Sequence, residues 1–549
     1  MVLLITWVAV FALIAVPVVA THAWLAADGE TDERILIGAP LVALGVLGAV
    51  VFLAFFIHPV VGFILSFGSE LGLAIYLFRR QRNGFPWRAE IFEIPARLIF
   101  EIGLFFLALL FLPNLGREPE WQSQVRFLYE FPPDANLPKM LGDRLYSGES
   151  PKPFLPESGW LSSDRPPLQS GIYLLVRPWL SPLGVPAGLC YQCVGTLCQF
   201  VWVPVVWLIG RKLRLNVLPT ISIILLVTAS GFMLFNSTYV WPKLLSGGFV
   251  LLAATLLLDR TEARTPETTV LGGAAAGLGW LAHGGAAFSL VTLGLILLIP
   301  PWFLGRKKTL LAAVAFAVLA LPWAAYQNLY DPPANRLLKW HLAGVIAIDA
   351  RSTWDALTDS YGALSRDALV ANKRANFHTL INGTFGDIFD IFTTPLRQRR
   401  VDEFFYIFRS LGILNFAWIA APLTWIVRRR LPEFFELQGL IAAWTALTLA
   451  VWATLMFIPS STLLHQGPYA AMISLFLLAV VFLLQLPRWL GVPILAWHVV
   501  EFSATWLPYT KSAPINPWMI LLLLLTLAFL ARTVWQVRQT EIAESTGNA

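Results

Sequence analysis

Apolar runs separated by short polar breaks recur along most of the chain. Each is close to the roughly 17–25 residues that a helix needs to cross a hydrocarbon core. The runs predict spans near 3–20, 36–57, 60–78, 97–113, 187–209, 216–235, 242–258, 270–283, 286–304, 309–326, 411–427, 437–458, 468–486, 489–507 and 517–533. Two long polar stretches, 114–186 and 327–408, interrupt the pattern, and only there can a soluble-like subdomain form. The first begins with an amphipathic patch, Trp121, Val125, Leu128 and Tyr129, at helical spacing. The second reads as two or three amphipathic helices. No internal repeat is visible. The pattern predicts an all-α polytopic membrane protein of about 13–15 spans. Four regions follow: extra membrane helices over 1–96, a core over 97–326, the second large loop over 327–408, and further membrane helices with a short tail over 409–549.

Composition closes off the soluble classes. Of 549 residues, 57% are hydrophobic and only 13% charged, against about 25% charged in a soluble domain. The net charge of +6 says less than its distribution. Lys and Arg collect in short cytoplasmic loops. Here they cluster at Arg79-Arg80-Gln81-Arg82, Arg211-Lys212, Arg306-Lys307-Lys308, Arg428-Arg429-Arg430, Arg488 and the tail after Arg532. With those inside, 114–186 and 327–408 both fall outside. The same count makes the loop holding Asp28, Glu30, Asp32 and Glu33 cytoplasmic, although it is acidic; acidic residues weigh little in this rule. The N-terminal run lacks the basic segment of a signal peptide and reads as a retained first span. Cys190, Cys193 and Cys198 lie in one apolar segment with no nearby His, and read as small core residues.

Chemistry-bearing residues are sparse. His341, Asp349, Arg351, Asp355 and His378 are scattered through the second loop without metal-ligand spacing, and solvated faces account for them. Whether a divalent metal takes part is left open. His498 and Glu501 sit one turn apart inside a span and read as a hydrogen-bonded structural pair. No phosphate-binding loop of the GxxxxGK[ST] kind occurs, so a nucleotide-sugar donor held that way is unsupported, and no nucleic-acid partner is expected.

Two stretches at the edges of the first loop stand out. Glu118-Pro119-Glu120 follows a span ending near Pro113, and Arg165-Pro166-Pro167-Leu168 precedes the next apolar run. Four more follow in order: NSTYVWPKLLSGGFVLLAATLLL, GGAAAGLGWLAHGGAAF, LPWAAYQNLYDPP and LHQGPYAAMISLFLL. Together, over about residues 97–485, they resemble the GT-C superfamily of membrane glycosyltransferases, especially its protein O-mannosyltransferase and aminoarabinose-lipid A transferase branch. That branch carries an acidic pair after a span, then Lys-Pro-Pro-Leu or His-Pro-Pro-Leu. The resemblance implies a GT-C-like bundle in a bacterial plasma membrane. It also implies a sugar donor linked to a polyprenyl phosphate, with a glycan, lipid or protein acceptor met on the outer face.

The roles it implies are these. Glu120, with Glu118 secondary, would take the acceptor's proton, although both could merely cap the helix that follows. Arg165, Lys243, His283 and His465 would hold the donor phosphate. His283 and His465 stand where the family usually has Lys and Arg, and Lys243 stands near its usual Asp, so a catalytically altered relative stays open. So does a lipid or glycan flippase, although inverted repeats and broken midplane helices, the marks of that class, are not visible, and so does a membrane scaffold.

Overall fold

The computed structural model describes residues 1–82, 90–127, 133–155, 159–259, 264–300, 302–382, 393–427, 432–507 and 513–547. Among them the chain is helical, with no strand beyond two isolated bridges. The first four helices are α1 (Val2–Ala27), α2 (Glu33–Ile57), α3 (Pro59–Arg82) and α4 (Glu90–Leu110). The first large loop holds α5 (Pro119–Arg126), α6 (Leu137–Ser147) and α7 (Leu168–Leu180). Then come α8 (Ala187–Cys198), α9 (Trp202–Lys212), α10 (Val217–Thr228), α11 (Gly231–Tyr239), α12 (Lys243–Leu258), α13 (Pro266–Ala282), α14 (Ala286–Leu297) and α15 (Arg306–Ala325). The second loop carries α16 (Arg336–Ala343), α17 (Thr353–Gly362), α18 (Arg366–Ile381), α19 (Leu396–Phe405) and α20 (Ile407–Leu411). The chain closes with α21 (Ala417–Val427), α22 (Pro432–Leu455), α23 (Tyr469–Leu484), α24 (Arg488–Trp506) and α25 (Pro517–Gly547).

Local chemistry sets several of the starts. Asp32, Ser230, Thr265, Ser352 and Ser365 each accept a backbone N–H of the first turn that they cap, which satisfies donors a helix start leaves open. Pro119 and Pro266 occupy first-turn positions, where the missing N–H costs nothing.

Among the described residues seven helices are long and apolar enough to cross a membrane: α1, α2, α3, α8 with α9, α15 with the π-turn after it, α22 from Gln438, and α25. The α10–α11 pair makes an eighth, bent by 72°. Several other predicted spans fall on shorter apolar helices, among them α12, α14 and α23. The chain is therefore an all-α polytopic membrane protein, its main core running through α2, α4, α7 to α14 and α23.

One part of the predicted first loop is not loop. Residues 168–180 form α7, almost wholly buried against α2. A Cβ on Gly171 would stand 2.0 Å from the Gly48 carbonyl oxygen, so the backbones meet where only glycine fits. Thirteen residues are too few to read as a span by length, which is why the pattern left this helix in the loop. The predicted bond between His498 and Glu501 is absent too. His498 Nε2 lies 3.0 Å from the Leu226 carbonyl, and the Glu501 carboxylate rests against Gly412. Neighbouring helices offer each a closer partner than its own turn does.

The ends of the helices sort into two faces. Arg211 pairs with Glu33 at 2.9 Å, Lys212 with Asp259, and Lys308 donates to the Arg264 carbonyl. The acidic first loop thus shares a face with three basic segments, as the alternation requires. On the opposite face the two large loops meet: Ser162 bonds Asp331, and Gln327 donates to the Ser163 carbonyl at 3.1 Å. Leu128, Tyr129 and the Arg428-Arg429-Arg430 cluster lie outside the described residues. The three cysteines are buried and unbonded in α8.

Candidate functional site

Under the meeting loops lies a cavity of about 760 Å³. Its head is polar, lined by Asp164, Arg165, Lys243, His283, Arg336, His341, His465 and Gln466. Its body is apolar, lined by Leu257 of α12, Gly273 and Ala276 of α13, Val291 and Leu297 of α14, and Ala312 and Phe316 of α15. From Ala286 to Leu297 the wall descends about 16 Å at 1.5 Å per residue. Val291 lines the cavity yet is 50% exposed, so the body opens sideways between helices rather than only upward.

The head is assembled from distant segments. Pro166 disfavours helical geometry at the residue before it, and Arg165 is extended there (φ −122°, ψ 117°). Its Nη2 meets Asp134 Oδ2 at 2.5 Å, its guanidinium covers the Trp160 ring, and its Nε has no hydrogen-bond partner. Asp134 stands on a short turn before α6, and its other oxygen accepts Trp241 Nε1–H at 3.0 Å. That indole lies just before α12, whose first residue is Lys243.

Lys243 is only 5% exposed. Its ammonium donates to the His465 carbonyl oxygen and sits 3.4 Å from the Trp241 ring centroid and 5.5 Å from that of Tyr469. Among the described residues no carboxylate pairs with it, whereas Arg165 has Asp134 and Arg336 has Asp164. A buried unpaired cation is costly. The head therefore holds one amine that no carboxylate among the described residues pairs with.

The histidines surround that amine. His283 closes α13, and its Nδ1 accepts the Gly285 N–H at 3.0 Å, which leaves the neutral ring's proton on Nε2. His465 stacks on Phe404 (5.5 Å) and meets Phe405 edge-on (5.3 Å), both from α19, and its Nδ1 is buried without a partner. Burial, with Lys243 nearby, presses the His465 imidazole down to about 3. The same causes bring His341 to about 4. Burial pushes the Asp164 carboxyl up, against the pull of the Leu161 N–H and of Arg336.

All four residues read as phosphate partners thus line one cavity. The two glutamates do not line it. Glu118 is exposed at the start of α5, and its side chain makes no capping bond. Glu120 is buried, with Oε1 3.1 Å from Lys139 Nζ. Lys139 also pairs with Asp143, which in turn takes Arg177 and the Tyr173 hydroxyl. A Cβ at Gly188 would fall 1.7 Å from Glu120 Oε2, so the carboxylate sits on bare backbone of α8.

Asp134, Trp241, Arg336 and His341 escaped the sequence reading as members of a site, and Asp164 entered it, with Asp143, only as the reserve should both glutamates prove dispensable. Asp164 had a signal, since it adjoins Arg165. His341 appeared only as one of several scattered polar residues, and nothing local marks Asp134, Trp241 or Arg336. Among the described residues no group of His, Cys, Asp or Glu has the geometry to hold a metal ion. The arrangement suits an amphiphile: donors and one amine without a paired carboxylate among the described residues at the head, a greasy slot below, and a side opening.

No protein-family model matches the chain, and no curated protein matches it. The solved structure of ArnT from Cupriavidus metallidurans bound to undecaprenyl phosphate is similar to it, with 11% identity and a TM-score of 0.42, over 82% of this chain and 76% of that one. A likeness of this size carries no argument about function.

Proposed function

We propose that the chain is a membrane glycosyltransferase that takes its sugar from a polyprenyl-phosphate donor bound in this cavity. The observation that carries the reading is Lys243, a buried amine that no carboxylate among the described residues pairs with, at the head of a long apolar slot. A phosphate on a lipid chain supplies what each part lacks. Its charge neutralises Lys243, and its oxygens accept from Arg165 Nε–H and His283 Nε2–H. Its chain fills the slot and arrives through the side opening near Val291. The order of the sequence motifs adds the sugar, by resemblance to the GT-C superfamily. Donors fixed around a leaving phosphate stabilise the charge it gains as the glycosidic bond breaks. On this reading the loop face is the extracytoplasmic one, and the acceptor is a glycan, lipid or protein that meets the head from water.

Binding is the direct test. Full-length protein in nanodiscs should bind radiolabelled undecaprenyl phosphate saturably. Unlabelled undecaprenyl phosphate should compete, and the uncharged polyprenol should compete at least ten-fold more weakly. Equal competition by the polyprenol would remove the phosphate from the proposal. Absence of saturable binding would remove the donor altogether.

A further inference from the structure

A transferase of this kind needs a base that reaches the acceptor hydroxyl, and within hydrogen-bond range of it. Among the described residues one carboxylate lines the cavity, Asp164. It closes a three-residue turn, Ser162–Asp164, and its Oδ2 takes two bonds: the Leu161 N–H at 2.9 Å and Arg336 Nη1–H at 2.8 Å. Among the described residues no hydrogen bond reaches Oδ1. One oxygen is therefore clamped, and the other is left for something outside the protein. Arg336 is itself held, by the Gly159 carbonyl at 2.6 Å and over the Trp160 ring. The charged groups around Asp164 are Arg336 from α16 and Arg165 beside it in the chain, while Asp331 holds the same turn through Ser162 and Ser163.

We propose that Asp164 is the general base of the transfer, with Arg336 as the residue that positions it; the inference rests on the donor reading above. Oδ1 takes the proton of the acceptor hydroxyl. The acceptor oxygen forms a bond to the anomeric carbon while the bond from that carbon to the phosphate oxygen breaks. The bonding electrons leave with the phosphate, which becomes a dianion facing Lys243 and Arg165. The proton passes from Asp164 to water once the product leaves. Glu120 cannot make the same approach, since it is tied to Lys139 and packed on Gly188 away from the cavity.

The test uses full-length protein in nanodiscs, radiolabelled undecaprenyl-phosphate sugars and membrane extract as acceptor. Asp164→Asn keeps the shape and removes the base. Its turnover should fall by ~10²–10⁴-fold, the usual worth of general base catalysis, with undecaprenyl phosphate binding within about three-fold of wild type. The acid limb of the wild-type rate profile should vanish in this variant, which a merely structural role would not produce. Asp164→Glu displaces the carboxylate by one methylene. It should bind normally and lose at least ten-fold in kcat, so the question stays answerable if Asn at this position unfolds the turn. Normal turnover in Asp164→Glu or Asp164→Asn, with collapse in Glu120→Gln, would overturn the assignment and leave the donor reading standing. Failure of wild-type protein to bind undecaprenyl phosphate would remove both, and the two failures are therefore told apart.

Discussion

Two charged clusters lie on the same face of the molecule, and they are built on opposite terms. Under the first loop, Glu120, Lys139, Asp143 and Arg177 alternate in sign, with Tyr173 closing the set. Two acids meet two bases, and the charges cancel. At the cavity head, Arg165 and Arg336 each have an acid, and Lys243 has none. Arg165 Nε, His465 Nδ1 and Gln466 Oε1 are buried there without hydrogen-bond partners among the described residues. The first cluster balances its charges without a ligand and ties α5 and α6 to α7, and among the described residues only Glu120 Oε2 in it is buried without a hydrogen-bond partner. The second is incomplete, and its gaps converge on one volume. Sequence alone ranks Glu120 and Lys243 alike, as charges at a membrane boundary. What separates them is whether a neighbour has already answered the charge.

The sharpest way to break this contrast is Lys243→Met. If the cation waits for a ligand, the variant should lose undecaprenyl phosphate binding by about thirty-fold or more, since truncating one partner of a buried charge pair costs about 2–5 kcal/mol. The ligand-free protein should melt at a higher temperature, because a desolvated unpaired charge has gone. Binding lost together with a lower midpoint would make Lys243 a structural residue instead.

Glu120→Gln should do the reverse. Lys139 keeps Asp143 but loses one acid, for a destabilisation of about 1–3 kcal/mol, while lipid binding stays within about three-fold. Gly188→Ala should act in the same direction, because its Cβ would displace the Glu120 carboxylate. If either change weakens undecaprenyl phosphate binding as strongly as it lowers the melting midpoint, the two clusters are not independent.

Acid gives the smallest effect near neutrality. His341 and His465 are held at about 4 and about 3, below their ordinary 6.5. Below about pH 6.5 the unfolded chain takes up protons that the folded protein refuses, so the stability these groups contribute is complete above that pH and declines toward pH 4. A bound phosphate anion favours the imidazolium forms, so undecaprenyl phosphate should flatten the decline seen in melting midpoints. An identical slope with and without it would place both rings away from the phosphate.

Much of the fold was readable because lipid imposes a length rule. The predicted spans at 36–57, 60–78 and 242–258 match α2, α3 and α12 to within a few residues. α7 escaped because it is short and is buried by other helices instead of spanning alone. The four residues of the cavity head read as phosphate partners were noticeable because each sits at a helix boundary beside a rigid or Gly-rich stretch: Arg165 before two prolines, His283 at the end of α13. The carboxylate read as the base was placed by the same reasoning, and the structure sets it outside the cavity. Glu120 also lies beside a helix boundary, and nothing in its neighbourhood announces Lys139, nineteen residues on, as its partner.

The sequence by itself determined the membrane class, the alternation of faces, the two large loops and the four cationic or imidazole groups at the cavity head. Those follow from hydropathy, chain geometry and residue chemistry, which act locally. Only the tertiary structure decided which charges are answered. Asp134 reaches Arg165 across 31 residues, and Arg336 reaches Asp164 across 172. Among the described residues Lys243 finds a carbonyl and two aromatic rings and no acid. Ion pairing depends on distance in space, and in a folded chain that distance is set by how helices far apart in sequence pack together.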